Sequence, residues 1–282
     1  MTSWWKRLLS GPDGSTGRTR GTPPSANGAS SFHLRWVFEG AAADIARAGF
    51  DSAAVTLEVL DAPTVPRLYF WALQTDFADS RGRRAGGAHL GLQWHPQYPG
   101  STAVNWGGYR SGGGELAGSG SVLRSTLGNP NTRDLRWSPG RRYRLRVSKV
   151  TAAHHPTEPA PGGTVAWRGS VVDLDAGDQV VVRDLYVPGD RIVGVTMWSE
   201  VFARCDDPSV AIRWSDPEVM TSDQLVWSPA ALAVNYQSFS DGGCANTCSS
   251  VDDVGVVQRT ASERLTAQGA RLELVPRSRD QR

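Results

Sequence analysis

A tryptophan and a carboxylate two residues apart on one strand face are the residues of this chain best suited to chemistry. In the stretch Arg191–Val201, alternation puts Val193, Val195, Met197 and Val201 on one side and Ile192, Thr196, Trp198 and Glu200 on the other. An indole plane suits the C–H face of a sugar, and a carboxylate suits its hydroxyls. The stretch Arg67–Gln74 sorts in the same way, with Leu68, Phe70 and Ala72 on the expected core side and Tyr69, Trp71 and Leu73 opposite. In Ala88–Trp94, Leu90 and Leu92 point inward, which leaves His89, Gly91 and Gln93 outward, the glycine giving room for a ligand or a backbone. Ala231–Gln237 turns Asn235 and Gln237 away from Leu232, Val234 and Tyr236. Were these strands neighbours in one sheet, Tyr69, Trp71, His89, Gln93, Trp198, Glu200, Asn235 and Gln237 would line a concave polar and aromatic groove.

Other chemistries find less support. Glycoside hydrolysis needs two carboxylates about 5–10 Å apart, which on a strand means spacings of two or four. Asp173 and Asp175 have that spacing but end at a turn, and Glu58 and Asp61, three apart, fall on opposite faces. The five histidines, His33, His89, His95, His154 and His155, show no zinc spacing. No cofactor is therefore expected, although calcium on loop acids such as Asp206-Asp207 or Asp252-Asp253 is compatible with a sandwich. No Ser in a G-x-S-x-G setting is present. Arg142, Arg144 and Arg146 form a basic stripe, read as a solvated face. Three cysteines allow one disulfide and one free thiol; Cys205–Cys244 is the expected pair, while Cys244 and Cys248, four apart, would close a small ring.

The elements that must position these groups are short. Between Phe32 and about Val275, apolar residues recur with period two in twelve runs separated by glycine, proline and aspartate. The runs are 32–38, 54–59, 67–74, 88–94, 103–109, 142–149, 165–174, 179–186, 192–201, 209–215, 231–237 and 255–259. A weak helical segment, Ala41–Ala48, interrupts them. That pattern excludes alternating strands and helices. It predicts an all-β, two-sheet antiparallel β-sandwich of the jelly-roll kind, formed by a single domain over residues 32–275. Residues 1–31, rich in Gly, Ser and Pro, read as a disordered leader, and residues 276–282 as a basic tail.

Composition bounds the function classes. Of 282 residues, 39% are hydrophobic and the net charge is +2, which argues against a nucleic-acid binder and supplies enough apolar side chains for a core. No run approaches the roughly 18 apolar residues of a membrane-spanning helix. Leu8-Leu9 is too short for a secretory h-region, so the sequence as written reads as cytoplasmic; a disulfide calls for an oxidising compartment, and a different start would make the protein extracellular. Eleven tryptophans either fill a wide core or stack on a ligand.

The runs LYFWALQTDF (68–77), GAHLGLQW (87–94), VTMWSEVF (195–202) and NYQSFSDGGCANT (235–247) resemble an uncharacterised bacterial family, of actinobacterial type, with a concanavalin A-like lectin/glucanase jelly roll. The resemblance spans about residues 32–260. It implies the sandwich and, by fold analogy, carbohydrate contact, with no activity to carry over. The resulting expectation is a carbohydrate- or glycoconjugate-binding sandwich whose partner is a polysaccharide or glycan. Trp71 and Trp198 would stack on sugar rings, Tyr69 would extend the platform, and Glu200, Gln93 and Asn235 would bind hydroxyls. The rival is a polysaccharide hydrolase or lyase with Glu200 as acid/base, assisted by His89 or an arginine. A third reading is a structural or protein-interaction sandwich.

Overall fold

The computed structural model describes residues 17–151 and 160–274. Among these residues, seventeen strands and one α-helix follow in order, with a short 3-10 turn at Pro99–Ser101. The first half comprises β1 (Ser30–Val37), α1 (Ala41–Ala48), β2 (Ser52–Asp61), β3 (Tyr69–Ala78), β4 (Arg84–Trp94), β5 (Thr102–Arg110), β6 (Ser125–Thr126), β7 (Asn129–Asp134) and β8 (Arg142–Lys149). The second comprises β9 (Val165–Asp173), β10 (Gln179–Val187), β11 (Arg191–Val201), β12 (Ala211–Met220), β13 (Val226–Trp227), β14 (Ala231–Tyr236), β15 (Cys248–Val251), β16 (Val256–Arg259) and β17 (Arg271–Glu273).

Two antiparallel sheets form the sandwich. One has the order β17-β14-β1-β11-β3-β4-β5-β7-β6; the other runs β10-β9-β8-β2-β12-β16-β15, with β13 paired to β12. All twelve expected strands are present, most with ends moved by one to four residues. The five that period two does not reveal, β6, β7, β13, β15 and β17, have two to six residues each, too few for alternation to register. β7 even contains Pro130, which a strand near a sheet edge tolerates.

The core lies between the sheets. Trp71 and Trp106 of the nine-stranded sheet and Trp167 and Trp214 of the other are among its largest fully buried side chains, so several of the tryptophans fill the interior. Trp106 packs directly on Gly169 of β9, where a Cβ would collide with the indole ring. The inner face of β3 is Tyr69, Trp71 and Leu73, reversing the expected sides of this strand. Both faces of β3 are buried, so alternation carried no usable contrast there. On β11, Ile192 packs in the core and Val193 is exposed, because an irregularity between Ile192 and Gly194 shifts the register.

Residues 17–29, which composition assigns to the leader, run against the domain. Arg18 bridges Cys244, and the Cys205 amide donates to the Gly21 carbonyl at 2.9 Å. Cys205 and Cys244 are disulfide-bonded, while Cys248 is a buried free thiol. Trp4, Trp5, His154, His155 and the basic tail lie outside the described residues. Among the described residues, no helix is long and apolar enough to cross a membrane.

Candidate active site

The outer face of the nine-stranded sheet brings together the polar residues of its central strands. Register alone defines two neighbouring rows. Gln93 on β4 pairs with Phe70 on β3, Phe70 with Glu200 on β11, and Glu200 with Ser31 on β1. Two residues along, Gly91, Ala72, Trp198, His33 and Asn235 align in the same way. At a strand spacing of about 4.8 Å, Glu200 and Gln93 stand roughly 10 Å apart at Cα, with Phe70 as the floor between them.

Each polar group in the first row is held. Oε1 of Glu200 accepts a hydrogen bond from Nδ2 of Asn27 at 2.8 Å, and burial raises the Glu200 carboxyl above its usual range, with the Asn27 bond opposing that rise. The Tyr98 hydroxyl donates to Oε1 of Gln93 at 3.1 Å, which fixes the amide and leaves its NH2 group as a donor to the groove. The backbone carbonyl of Gln93 accepts from the Trp137 indole at 3.2 Å. Six strands, β14-β1-β11-β3-β4-β5, make up this face, and only Glu200 and Asp76 are carboxylates on them. Asp76, six residues along β3 from Phe70, is on the order of 20 Å from Glu200.

The second row is an aromatic cluster. Trp198 meets Phe70 edge-on at 4.8 Å, His89 at 5.7 Å and His33 at 6.4 Å between ring centroids. Its indole N–H donates to Oε1 of Gln74 at 3.1 Å. Burial lowers both His33 and His89 to about 4, so they are neutral at physiological pH.

Three expected roles are corrected by this geometry. Tyr69 and Trp71, each 1% exposed, belong to the core and cannot stack on a sugar. Trp198 does lie on the outer face, but at 5% exposure its ring is covered by neighbouring rings and offers no free plane. Gly91 makes room for a strand, since a Cβ there would collide with the carbonyl oxygen of Trp71. Of the remaining expected residues, Gln237 holds the chain together, accepting from the Ser31 amide at 2.8 Å and donating to the Asp241 carbonyl at 2.7 Å. Asn235 accepts from Gln268 at 2.6 Å at the edge of the face. His89, Gln93, Trp198 and Glu200 lie together on the outer face of this sheet. Asn27, Tyr98, His33 and Phe70 join them without any sequence signal: Asn27 sits in a Gly/Ser-rich stretch, Tyr98 in a loop, and His33 and Phe70 within strands read for other residues.

The other acids considered are engaged in ion pairs. Asp173 pairs with Arg141, Asp175 with Arg142, Glu58 with Arg213 and Asp61 with Arg259. Asp206 and Asp252 are likewise held by Arg204 and Arg213, and no group of three metal-ligating side chains occurs among the described residues. The basic stripe is partly neutralised, with Arg142 on Asp175 and Arg144 on Glu218 at 2.6 Å.

No protein-family model and no curated relative matches the chain. Among solved structures, it is similar to scytalido-glutamic peptidase with a peptide-based transition-state analogue, at 11% identity and a TM-score of 0.45, covering 82% of this chain and 98% of that one. It is also similar to SCP-B, an eqolisin-family peptidase in complex with the tripeptide Ala-Ile-His, at 10% identity and a TM-score of 0.42 over the same shares. Likenesses this loose assign no residue role. The buried aromatic platform overturns the carbohydrate-binding reading and its polysaccharide or glycan partner, since Tyr69, Trp71 and Trp198 present no free ring face to a sugar. The resemblance to a concanavalin A-like family therefore holds at the level of a two-sheet sandwich.

Proposed function

We propose that this protein is a hydrolase of peptide-like carbonyl compounds with Glu200 as its general acid/base. The observation that carries the reading is the alignment of a desolvated carboxyl with a fixed amide donor across Phe70. A glycosidase would need a second carboxyl about 5–10 Å away, and the strands of this face place their only other one far off. A carboxyl facing an amide N–H instead matches the needs of acyl transfer. Glu200, ionised, takes a proton from water as it attacks the carbonyl carbon. The Gln93 NH2 group donates to the oxygen that becomes negative, a role in which side-chain amides act as oxyanion donors. Glu200 then returns the proton to the leaving amine. The Tyr98 bond keeps the Gln93 amide oriented so that no reorganisation is needed during the reaction.

The test is cleavage of an internally quenched peptide library at pH 3–7 by the wild-type protein, by Glu200→Gln and by Gln93→Ala. The expected result is cleavage that falls by about a thousandfold or more in Glu200→Gln and about a hundredfold in Gln93→Ala. Absence of cleavage, or cleavage unchanged by Glu200→Gln, overturns the reading.

A further inference from the structure

The row beyond Gln93, Phe70 and Glu200 opens into a cleft. Two residues further, one position past the ends of β4, β3 and β11, lie His95, Leu68 and Phe202, and the Phe202 amide still donates to the Leu68 carbonyl at 3.0 Å. All three line a cleft of about 430 Å³, whose rim is formed by Arg67 and Arg204 and by Gly28, the neighbour of Asn27. With a two-residue repeat of about 7 Å, the cleft begins one side-chain position from the Glu200 carboxyl.

Its two cations are not equivalent. Arg204 is fixed by Asp206, at 3.1 Å and 3.3 Å, and its own amide donates to Asp207 at 2.8 Å. The disulfide at the adjacent Cys205 anchors the same loop. Arg67 is exposed and forms no ion pair among the described residues, so its guanidinium fork remains able to accept a planar anion. The walls between the two arginines are the apolar Leu68 and Phe202, which suit the stem of a side chain.

We propose that this cleft is a substrate subsite that selects a carboxylate, either an acidic side chain or a chain terminus, with Arg67 as the specificity-determining residue. The proposal rests on the reading of Glu200 as the acid/base, because that reading makes the neighbouring row the place where substrate extends.

The test is retention of peptides from an equimolar hexapeptide library on immobilised Glu200→Gln protein, read by mass spectrometry. One arm has amidated C-termini and Glu, Ala or Lys at each position; a second has neutral side chains and free C-termini. The expected result is roughly tenfold or greater enrichment of peptides carrying Glu at one position, or of the free-acid arm, which would identify the terminus as the group bound. Adding Arg67→Ala should remove the enrichment, and adding Arg67→Glu should turn it toward Lys. Equal retention of Glu, Ala and Lys peptides with no enrichment of the free-acid arm, no retention at all, or enrichment unchanged by Arg67→Ala would overturn the proposal. Wild-type cleavage of the same library separates the two claims: cleavage without acid preference removes the subsite alone, and acid-selective retention without cleavage removes the hydrolase.

Discussion

Asn27 and Glu200, 173 residues apart in sequence, are joined by a 2.8 Å hydrogen bond from the Asn27 amide to the Glu200 carboxylate. A segment preceding the first strand thereby sets the ionisation of the one carboxyl in the central row of the groove. Burial pushes the Glu200 carboxyl up, and the Asn27 bond, which favours the charged form, holds it down. In the proposed reaction the ionised form is the base. Activity should therefore fall as pH drops through a value above the ordinary 4.5 of a glutamate. In Asn27→Ala that acid limb should move upward, since the bond that favours the charged form is lost. A pH profile of kcat/KM measures this, and an unmoved limb would separate Asn27 from Glu200 ionisation.

Trp198 is structural on this geometry. Its ring is enclosed by Phe70, His89 and His33, and its N–H is satisfied by Gln74. Trp198→Ala should cost about 3–5 kcal/mol by leaving a cavity under the groove. Trp198→Phe, which keeps most of the ring contacts and loses the Gln74 bond, should cost less, about 1–2 kcal/mol. Urea denaturation measures both. A change below about 0.5 kcal/mol for Trp198→Ala would show a ring that packs on nothing.

The sequence made β11 and β4 readable because each has one face in the core and one polar face, so period two sorted Trp198 and Glu200 from Met197, and His89 and Gln93 from Leu90. It failed on β3, where Tyr69, Trp71 and Leu73 alternate with Phe70 and Ala72, and both sets are buried. A strand apolar on both faces carries no information about which face meets the other sheet. The site itself was half legible. Glu200 and Gln93 were assigned to one groove, but their alignment across Phe70 depends on strand order, and Asn27 and Tyr98 reach them from irregular segments whose positions are set by tertiary contacts alone.

His33 and His89 should make the fold acid-sensitive in a defined window. His33 is buried and His89 largely covered, and both are neutral, with values near 4, whereas imidazoles in the unfolded chain titrate near 6.5. Between those values the unfolded state binds more protons than the folded one, so stability is full above about pH 6.5 and declines as pH falls toward 4. Each contributes up to about 3 kcal/mol to that decline. The direction is opposite to that of Glu200, whose raised value favours the folded state at low pH. Thermal unfolding at pH 7.5, 5.5 and 4 should show a falling Tm, and His33→Gln with His89→Gln should flatten the curve. A Tm in the wild type that is constant over this range would contradict the burial of both rings.

The Cys205–Cys244 bond should matter to stability as well as to the cleft. It closes a loop with a sequence separation of 39 residues, which in the chain-entropy description contributes about 4 kcal/mol. It also ties down the segment that holds Arg204, and both cysteines contact the chain before β1, through the Gly21 carbonyl and the Arg18 bridge. Cys205→Ser, or reduction of the wild-type protein, should lower Tm by several degrees and loosen residues 17–22, seen as faster hydrogen exchange of the Cys205 amide and its neighbours. In Cys248→Ser the same losses on reduction should persist, because Cys248 is a buried thiol outside the disulfide. Equal Tm in the presence and absence of reductant would show that the bond does not constrain the folded protein.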